Sequence, residues 1–462
     1  MEKINNKMGF RKAISRAAVP LSSLTISMLL ALFVVGCDSS SSTIEDDVTV
    51  EEETVDSLNY LQKQFTPADD SKATVEGIQS LATANNDFAI KMYQQLNQDK
   101  PVDNLVFSPY SISSAMMLGY IGASGLTYDE IKQVFSYPEV DKMLPNAARL
   151  YNQLNRPSAN YSLSSVNELW IQKGLSLNSN YLDNISRYLA GNVGSLDFAN
   201  DPDLAIQTIN QSIAKQTNNL IPRILSKDDI SKSTRTVLTN ALYFKGAWAN
   251  EFYDGFTEPM PFRTFEQANN ANSESVVNMM HQNAWFGYIE DEQAQILDMP
   301  YAGDEIAMIV ILPKETSKKA FQQLIDLLSA KKITAWQTQF SDKDIDLYLP
   351  KFKMDIKNAA MADTLISMGM PSAFTDGADF SEFSKDFKLQ FNKVIHQAVI
   401  EVDEIGTEAT AATVIEMIAD ASEEEEPIIP IEFKADHPFI YTIYHKPTGT
   451  ILFMGQMVKT TD

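Results

Sequence analysis

An α+β architecture built on large antiparallel sheets follows from three features of this sequence. Runs rich in β-branched or aromatic residues occur at Tyr161–Gln172, 236–244, 296–312 and 345–352, as strands with at least one buried face require. Helical stretches at 203–217 and 320–328 lie between them. No strand–helix–strand alternation and no internal repeat recurs, so a doubly wound parallel sheet is disfavoured.

Globular patterning begins near Ile78, where Leu81, Phe88, Ala89, Met92, Tyr93 and Leu96 recur at spacings that build one apolar helix face. Ser108-Pro109 precedes Ile112, Ala115, Met116 and Leu118, a capping residue and a first-turn proline that start a second helix. Another amphipathic helix is expected after Thr127. At the far end, Phe439–His445, the turn Pro447-Thr448-Gly449 and residues 451–458 predict a closing hairpin.

The chain of 462 residues is 44% hydrophobic and 10% aromatic, enough for one large domain or two ordinary ones. Its formal net charge of −24 argues against a nucleic-acid partner, whose phosphates demand a basic face. The basic residues Lys3, Lys7, Arg11, Lys12 and Arg16 precede an apolar run over 21–35, the composition of an export leader. That run is shorter than the ~20 residues a membrane-spanning helix needs. It ends in Val34-Val35-Gly36-Cys37, which resembles a lipobox, with Cys37 as the lipidated residue. A leader cut elsewhere and an uncut anchor are the alternatives.

Cleavage before Cys37 removes a net +4 and leaves −28. Because Cys37 is the only cysteine, disulfides and thiolate metal sites are excluded. The acidic, polar stretch after it reads as a tether. The organisation expected is a leader over 1–36, a lipidated flexible tether over 37–72 and a folded domain over 73–462. The protein is then held by acyl chains in a bacterial cell envelope, facing the periplasm or the exterior.

Catalytic constellations are not evident. The four histidines, His281, His396, His437 and His445, include no His-Glu-x-x-His pair. Neither a Gly-x-Ser-x-Gly elbow nor a phosphate-binding Walker loop occurs, so no metal or cofactor is called for and a hydrolase has no candidate residues.

Residues 404–438 combine two incompatible halves. Thr407, Ala409, Ala411, Thr413, Ile415 and Met417 alternate with Glu408, Thr410, Ala412, Val414 and Glu416, as in a strand with one buried face. Beyond them stand Asp420, Ala421, Ser422, four glutamates at 423–426, Pro427 and Pro430, which no buried strand would hold. Either an edge strand runs into a loop, or a loop is able to become a strand.

The motif Glu404, Gly406, Thr407, Glu408, Ala409, Ala411, Ala412 and Thr413 resembles the hinge of the serpins, inhibitors that trap proteases. Residues 239–248, Thr-Asn-Ala-Leu-Tyr-Phe-Lys-Gly-Ala-Trp, resemble the strand and turn at that family's breach, and Phe107 to Ile112 its shutter segment. Met279 to Gln282, His437-Pro438-Phe439 and Phe453-Met454-Gly455 fit further motifs, in the family's order from about Ala73 to Lys459.

The resemblance implies three β-sheets, eight or nine helices and an exposed reactive loop over about 404–433. It also implies a mechanism: a protease cleaves the loop, the hinge half enters the main sheet as a new strand, and the acyl-enzyme is distorted and trapped. In this light Gly406 supplies backbone angles that suit a hinge. Ser108, Ser111, Asn240 and His396 form a polar shutter, and Trp248 packs at the breach. Ile405 departs from the usual polar residue, and the loop is longer than usual, with 423–426 as the insertion.

Counting fourteen residues from Gly406 places the cleaved bond at Asp420-Ala421, with bonds after Met417, Ile418 or Ala419 open. Counting back from the C-terminal strand reaches Pro427, a poor site. The partner implied is a serine or cysteine protease, with elastase-like or subtilisin-like enzymes favoured, acting on a monomer. A non-inhibitory carrier or binding module is the competing reading, disfavoured by the small residues from Ala409 to Ala412.

Overall fold

The computed structural model describes residues 65–98, 103–265, 275–358, 361–385, 388–407 and 429–460. Cys37, Glu408 to Thr413 and Met417 to Ala421 lie outside them.

Among the described residues are nine α-helices: α1 Val75–Asn97, α2 Pro109–Tyr120, α3 Gly125–Phe135, α4 Val140–Asn155, α5 Ser179–Asn184, α6 Pro202–Gln216, α7 Lys318–Leu327, α8 Ala330–Gln339 and α9 Met361–Met368. The strands are β1 Leu105–Phe107, β2 Tyr161–Gln172, β3 Asn192–Leu196, β4 Thr236–Ala247, β5 Glu258–Phe262, β6 Ser275–Glu290, β7 Ala294–Pro300, β8 Ile306–Pro313, β9 Ser341–Pro350, β10 Phe352–Asn358, β11 Lys393–Val402, β12 Gly406–Thr407, β13 Ile431–Lys434, β14 Phe439–His445 and β15 Thr450–Met457.

They hydrogen-bond into two ladders. One has the order β10-β11-β12-β4-β2-β3, and the other runs β1-β15-β14-β8-β7-β6-β9-β13 with β5 on β6. Two of the three sheets implied by the resemblance are continuous here because β6 serves both: Met279 to Tyr288 pair with β9, and Gly287 to Glu290 pair with β7.

The run expected as one strand over 296–312 is instead the hairpin β7–β8. Gly303 (φ 85°) and Asp304 (φ 55°) occupy the left-handed region, and Tyr301 accepts the Asp304 amide. The turn chemistry of Ala302-Gly303-Asp304 overrides the apolar run. The first helix starts as its cap dictates, with Thr74 Oγ1 accepting from the Gly77 amide, and the third begins at Gly125, before Thr127.

Apolar residues cover both faces of the six-stranded sheet. On the inner face, Leu242, Phe244, Met354, Ile400 and Val402 pack against Met280, Val310, Tyr441 and Phe453 of the larger sheet. On the outer face, Val166, Trp170, Val237, Ala241 and Ile395 pack under Ile209 and Ile213 of α6. That double burial explains why β4 reads as a continuous apolar run rather than an alternation. Each such side chain contributes roughly 1.5–3 kcal/mol.

Residues 65–72, assigned to the tether from composition, are docked on the domain. Asn152 of α4 accepts from the Ala68 amide at 2.8 Å and donates to its carbonyl at 2.9 Å. The folded part therefore begins before residue 73, and polar composition hid this because, apart from Phe65 and Ala68, the strap is held by polar partners such as Asn152.

Candidate functional site: the divided main sheet

The site is the seam between β4 and β11. These strands are parallel and directly paired from Lys393–Val237 to Ala398–Leu242, with His396 opposite Asn240. Beyond that point they part, and β12 stands between them, antiparallel to both: Thr407 pairs with Val402 and with Gly246, and Gly406 with Ala247. The sheet is closed at one end and wedged open at the other.

Local chemistry turns the chain back into the wedge. The Asp403 carboxylate accepts the amides of Ile405 and Gly406, each at 3.0 Å, and the Asp403 amide donates to the Gly406 carbonyl. Glu404 is anchored by Lys351 Nζ at 2.7 Å and Thr257 Oγ1 at 2.9 Å. Burial opposes its charge, yet hydrogen bonds from Lys351, the backbone and Thr257 outweigh it and hold this carboxyl below its usual value. Ile405 fits the turn, its carbonyl accepting from the Trp248 amide at 2.7 Å.

Gly406 is required for a reason other than unusual backbone angles, since its φ is not positive. A Cβ there would lie 2.1 Å from the Gly246 carbonyl oxygen and 2.7 Å from the Ala247 Cα. The glycine allows two backbones to approach. Thr407 is buried, and its hydroxyl meets Tyr301 Oη at 2.7 Å. Trp248 caps this end, stacked on Tyr301 at 4.4 Å, with its indole N–H donating to the Asp403 carbonyl at 3.0 Å.

At the closed end the four expected shutter residues come together. Ser108 caps α2 by accepting the Ser111 amide at 3.1 Å and donates its hydroxyl to the Leu452 carbonyl at 2.6 Å. His396 Nε2 accepts the Ser108 amide at 3.0 Å, so the proton resides on Nδ1, which faces Asn240 Oδ1 at 3.0 Å. Ser111 Oγ also donates to Asn240 Oδ1, at 2.6 Å, while Asn240 Nδ2 donates to the Ser111 carbonyl and to Asn167 Oδ1, both at 2.7 Å. Burial drives the His396 pKa down to about 3, so the imidazole is neutral.

Sequence reasoning missed Asn167, Tyr301, Lys351 and Thr257. Only the turn signal after Tyr301 could have placed that residue beside a hairpin end; the others carry no motif. Also unforeseen is Glu168, buried under α6 and accepting from Ser212 Oγ at 2.6 Å and Gln216 Nε2 at 2.8 Å. Its pKa is raised by burial. The remaining histidines are dispersed: His281 pairs with Asp346, His437 with Asp436 and the Pro313 carbonyl, and His445 with Thr448.

The main sheet is thus parted at one end by the two residues of β12, which belong to the segment that follows β11 in the chain. The family model described as Serpin (serine protease inhibitor) matches residues 83–460. The chain belongs to the serpin family. It is 36% identical over 440 residues to an uncharacterised serpin-like protein of Methanosarcina mazei, covering 94% of this chain and 96% of that one. It is 33% identical over 386 residues to the leukocyte elastase inhibitor of Xenopus laevis, covering 82% and 99%. Uncleaved ovalbumin superposes with a TM-score of 0.72 at 28% identity, covering 82% of this chain and all of that structure.

Two outcomes are expected at this site. Gly406→Ala should expel β12 from the wedge and lower the unfolding temperature, with amide exchange at Gly246 and Ala247 rising in the same variant. An unchanged exchange pattern would refute the close-approach argument. The buried histidine gives a pH signature. Its folded pKa lies below the unfolded 6.5, so its stabilisation is complete above 6.5 and is lost as the pH falls toward 3. At pH 5 the loss is about 2 kcal/mol. His445, drawn down to about 4 by burial, adds a loss of the same sign. His396→Gln should flatten the stability slope between pH 7 and 5 by about half, read by denaturant unfolding at each pH.

Proposed function

We propose that this protein is an inhibitor that traps a serine or cysteine protease by cleavage and insertion of its reactive loop. The observation that carries the reading is β12, seated antiparallel to both β4 and β11 above a directly paired shutter. Continuing that register without a bulge sets Ala409 between Phe244 and Ile400, Ala411 between Leu242 and Ala398, and Thr413 between Asn240 and His396. Phe244, Ile400, Leu242 and Ala398 face the packed interior, where only small or apolar side chains fit. Thr413 brings a hydroxyl to the position where the Asn240–His396 hydrogen bond would be parted.

The twelve residues of β4 run out at Thr236, opposite Met417. The cut bond then lies at or beyond Met417, in keeping with Asp420-Ala421 and with the alternatives after Met417, Ile418 and Ala419. Each inserted residue gains backbone hydrogen bonds worth about 0.5–1.5 kcal/mol net, and one parallel ladder is replaced by two antiparallel ones. That gain is the work available to displace a tethered protease.

Likeness to a leukocyte elastase inhibitor supports elastase-like or subtilisin-like targets. The lipobox-like Cys37 supports attachment to a bacterial envelope, with the inhibitor acting as a monomer on its tether.

The test is incubation with elastase-like, subtilisin-like, trypsin-like and Asp-cleaving proteases, followed by detection of SDS-stable complexes and mass mapping of the released C-terminal peptide. A covalent complex and a marked rise in unfolding temperature on cleavage are expected. Ala411→Arg should convert the protein to a plain substrate, cut at the same bond without complex formation. Cleavage with neither complex nor thermal gain in the unmodified protein would instead favour the carrier reading.

A further inference from the structure

Insertion between β4 and β11 requires one half of the sheet to move. Strands β2, β3 and β4 are paired to one another along their lengths, so they shift as a block. That block carries α5 and the π-helical turn Ile185–Leu189, which connect β2 to β3. Helix α4 joins α1 to that connection: Met143, Leu144 and Ala147 share one apolar core with Phe88, Ala89 and Met92 of α1 and with Tyr181, Ile185 and Leu189.

Between the two lies a cavity of about 640 Å³, bounded by Tyr151 and Asn155 of α4, Ser164 of β2, Ile185, Val193 of β3 and the strap residue Phe65. The cavity opens to solvent and leaves part of the boundary between α4 and the block unfilled, so that boundary resists displacement less than a fully packed one would.

The segment from Phe65 to Asp70 crosses this gap and is bonded on both sides. Toward α4, Phe65 stacks on Tyr151 at 6.0 Å, and Asn152 holds both the amide and the carbonyl of Ala68. Asn152 also donates to the Asp70 carboxylate at 3.1 Å, and Arg149 pairs with that carboxylate. Toward the mobile block, the Asp69 amide donates to the Arg187 carbonyl at 2.8 Å, and Arg187 Nε returns to the Asp69 carboxylate at 2.7 Å.

We propose that the Phe65–Asp70 strap is an intramolecular clasp that ties the β2–β3–β4 block to α4, holds the sheet in its open-wedge state and must let go of one side when the loop inserts. This rests on the insertion reading above. The Arg187–Asp69 pair is solvent-exposed and weak as a global stabiliser, yet a bond that exists only before insertion acts on the barrier to insertion whatever its share of total stability.

The experiment compares the full-length protein with Arg187→Ala and, as a second variant, Asn152→Ala, each before and after loop cleavage by a nonspecific protease. The expected result is a lower unfolding temperature for the uncleaved variants only, with the cleaved forms equal to the cleaved parent. Insertion after cleavage, followed by tryptophan fluorescence, should be faster by about threefold, equivalent to about 0.7 kcal/mol of lost restraint. Equal destabilisation of cleaved and uncleaved forms, or unchanged insertion rates, would show a merely structural strap and overturn the proposal. Absence of any thermal gain on cleavage of the parent would remove the insertion reading itself, and the clasp with it.

Discussion

The parallel pairing of β4 with β11, centred on Asn240 and His396, is the contact on which the rest of the molecule depends. Two parallel neighbours leave a place that an antiparallel strand can fill with better hydrogen bonding on both sides. β12 already does so at Thr407, which pairs with both Val402 and Gly246, and the sheet below it remains shut. The β4–β11 ladder runs from Lys393 to Ala398, and β12 begins where the two strands part.

Neutral hydrogen bonds keep it shut. Ser108, Ser111, Asn167, Asn240 and His396 satisfy one another in a buried site with no formal charge. A salt bridge there would incur a desolvation cost each time it was parted, whereas hydroxyl, amide and imidazole groups can exchange partners. The same site ties the seam to α2 through the Ser108 cap and to β15 through the Leu452 carbonyl, so opening the sheet is felt across the body. Above, Trp248 and Tyr301 form a lid over Thr407.

The inner face and the flank of the sheet also differ in how they are packed. The inner face of the sheet is dense, while the flank between α4 and β2 contains a cavity bridged by a polar strap. Dense packing limits which side chains the inner face can accept, and the flank is the less filled of the two.

The sequence determined much of this by local rules. Tyr161–Gln172 was legible as a strand from its residue types, the start of α2 from Ser108-Pro109, and the closing hairpin from Pro447-Thr448-Gly449. The period-two segment from Thr407 marked a strand without a partner. Tertiary structure alone decided the rest, because pairings across the chain leave no local trace. Nothing near Lys351 or Tyr301 announces that they meet Glu404 and Thr407, and the strap looked like tether because its partners, Arg149, Asn152 and Arg187, lie 79 to 118 residues away. Gly406 shows both sides: its place in a motif was readable, but its purpose, the approach of one backbone to another, exists only once β4 stands beside it.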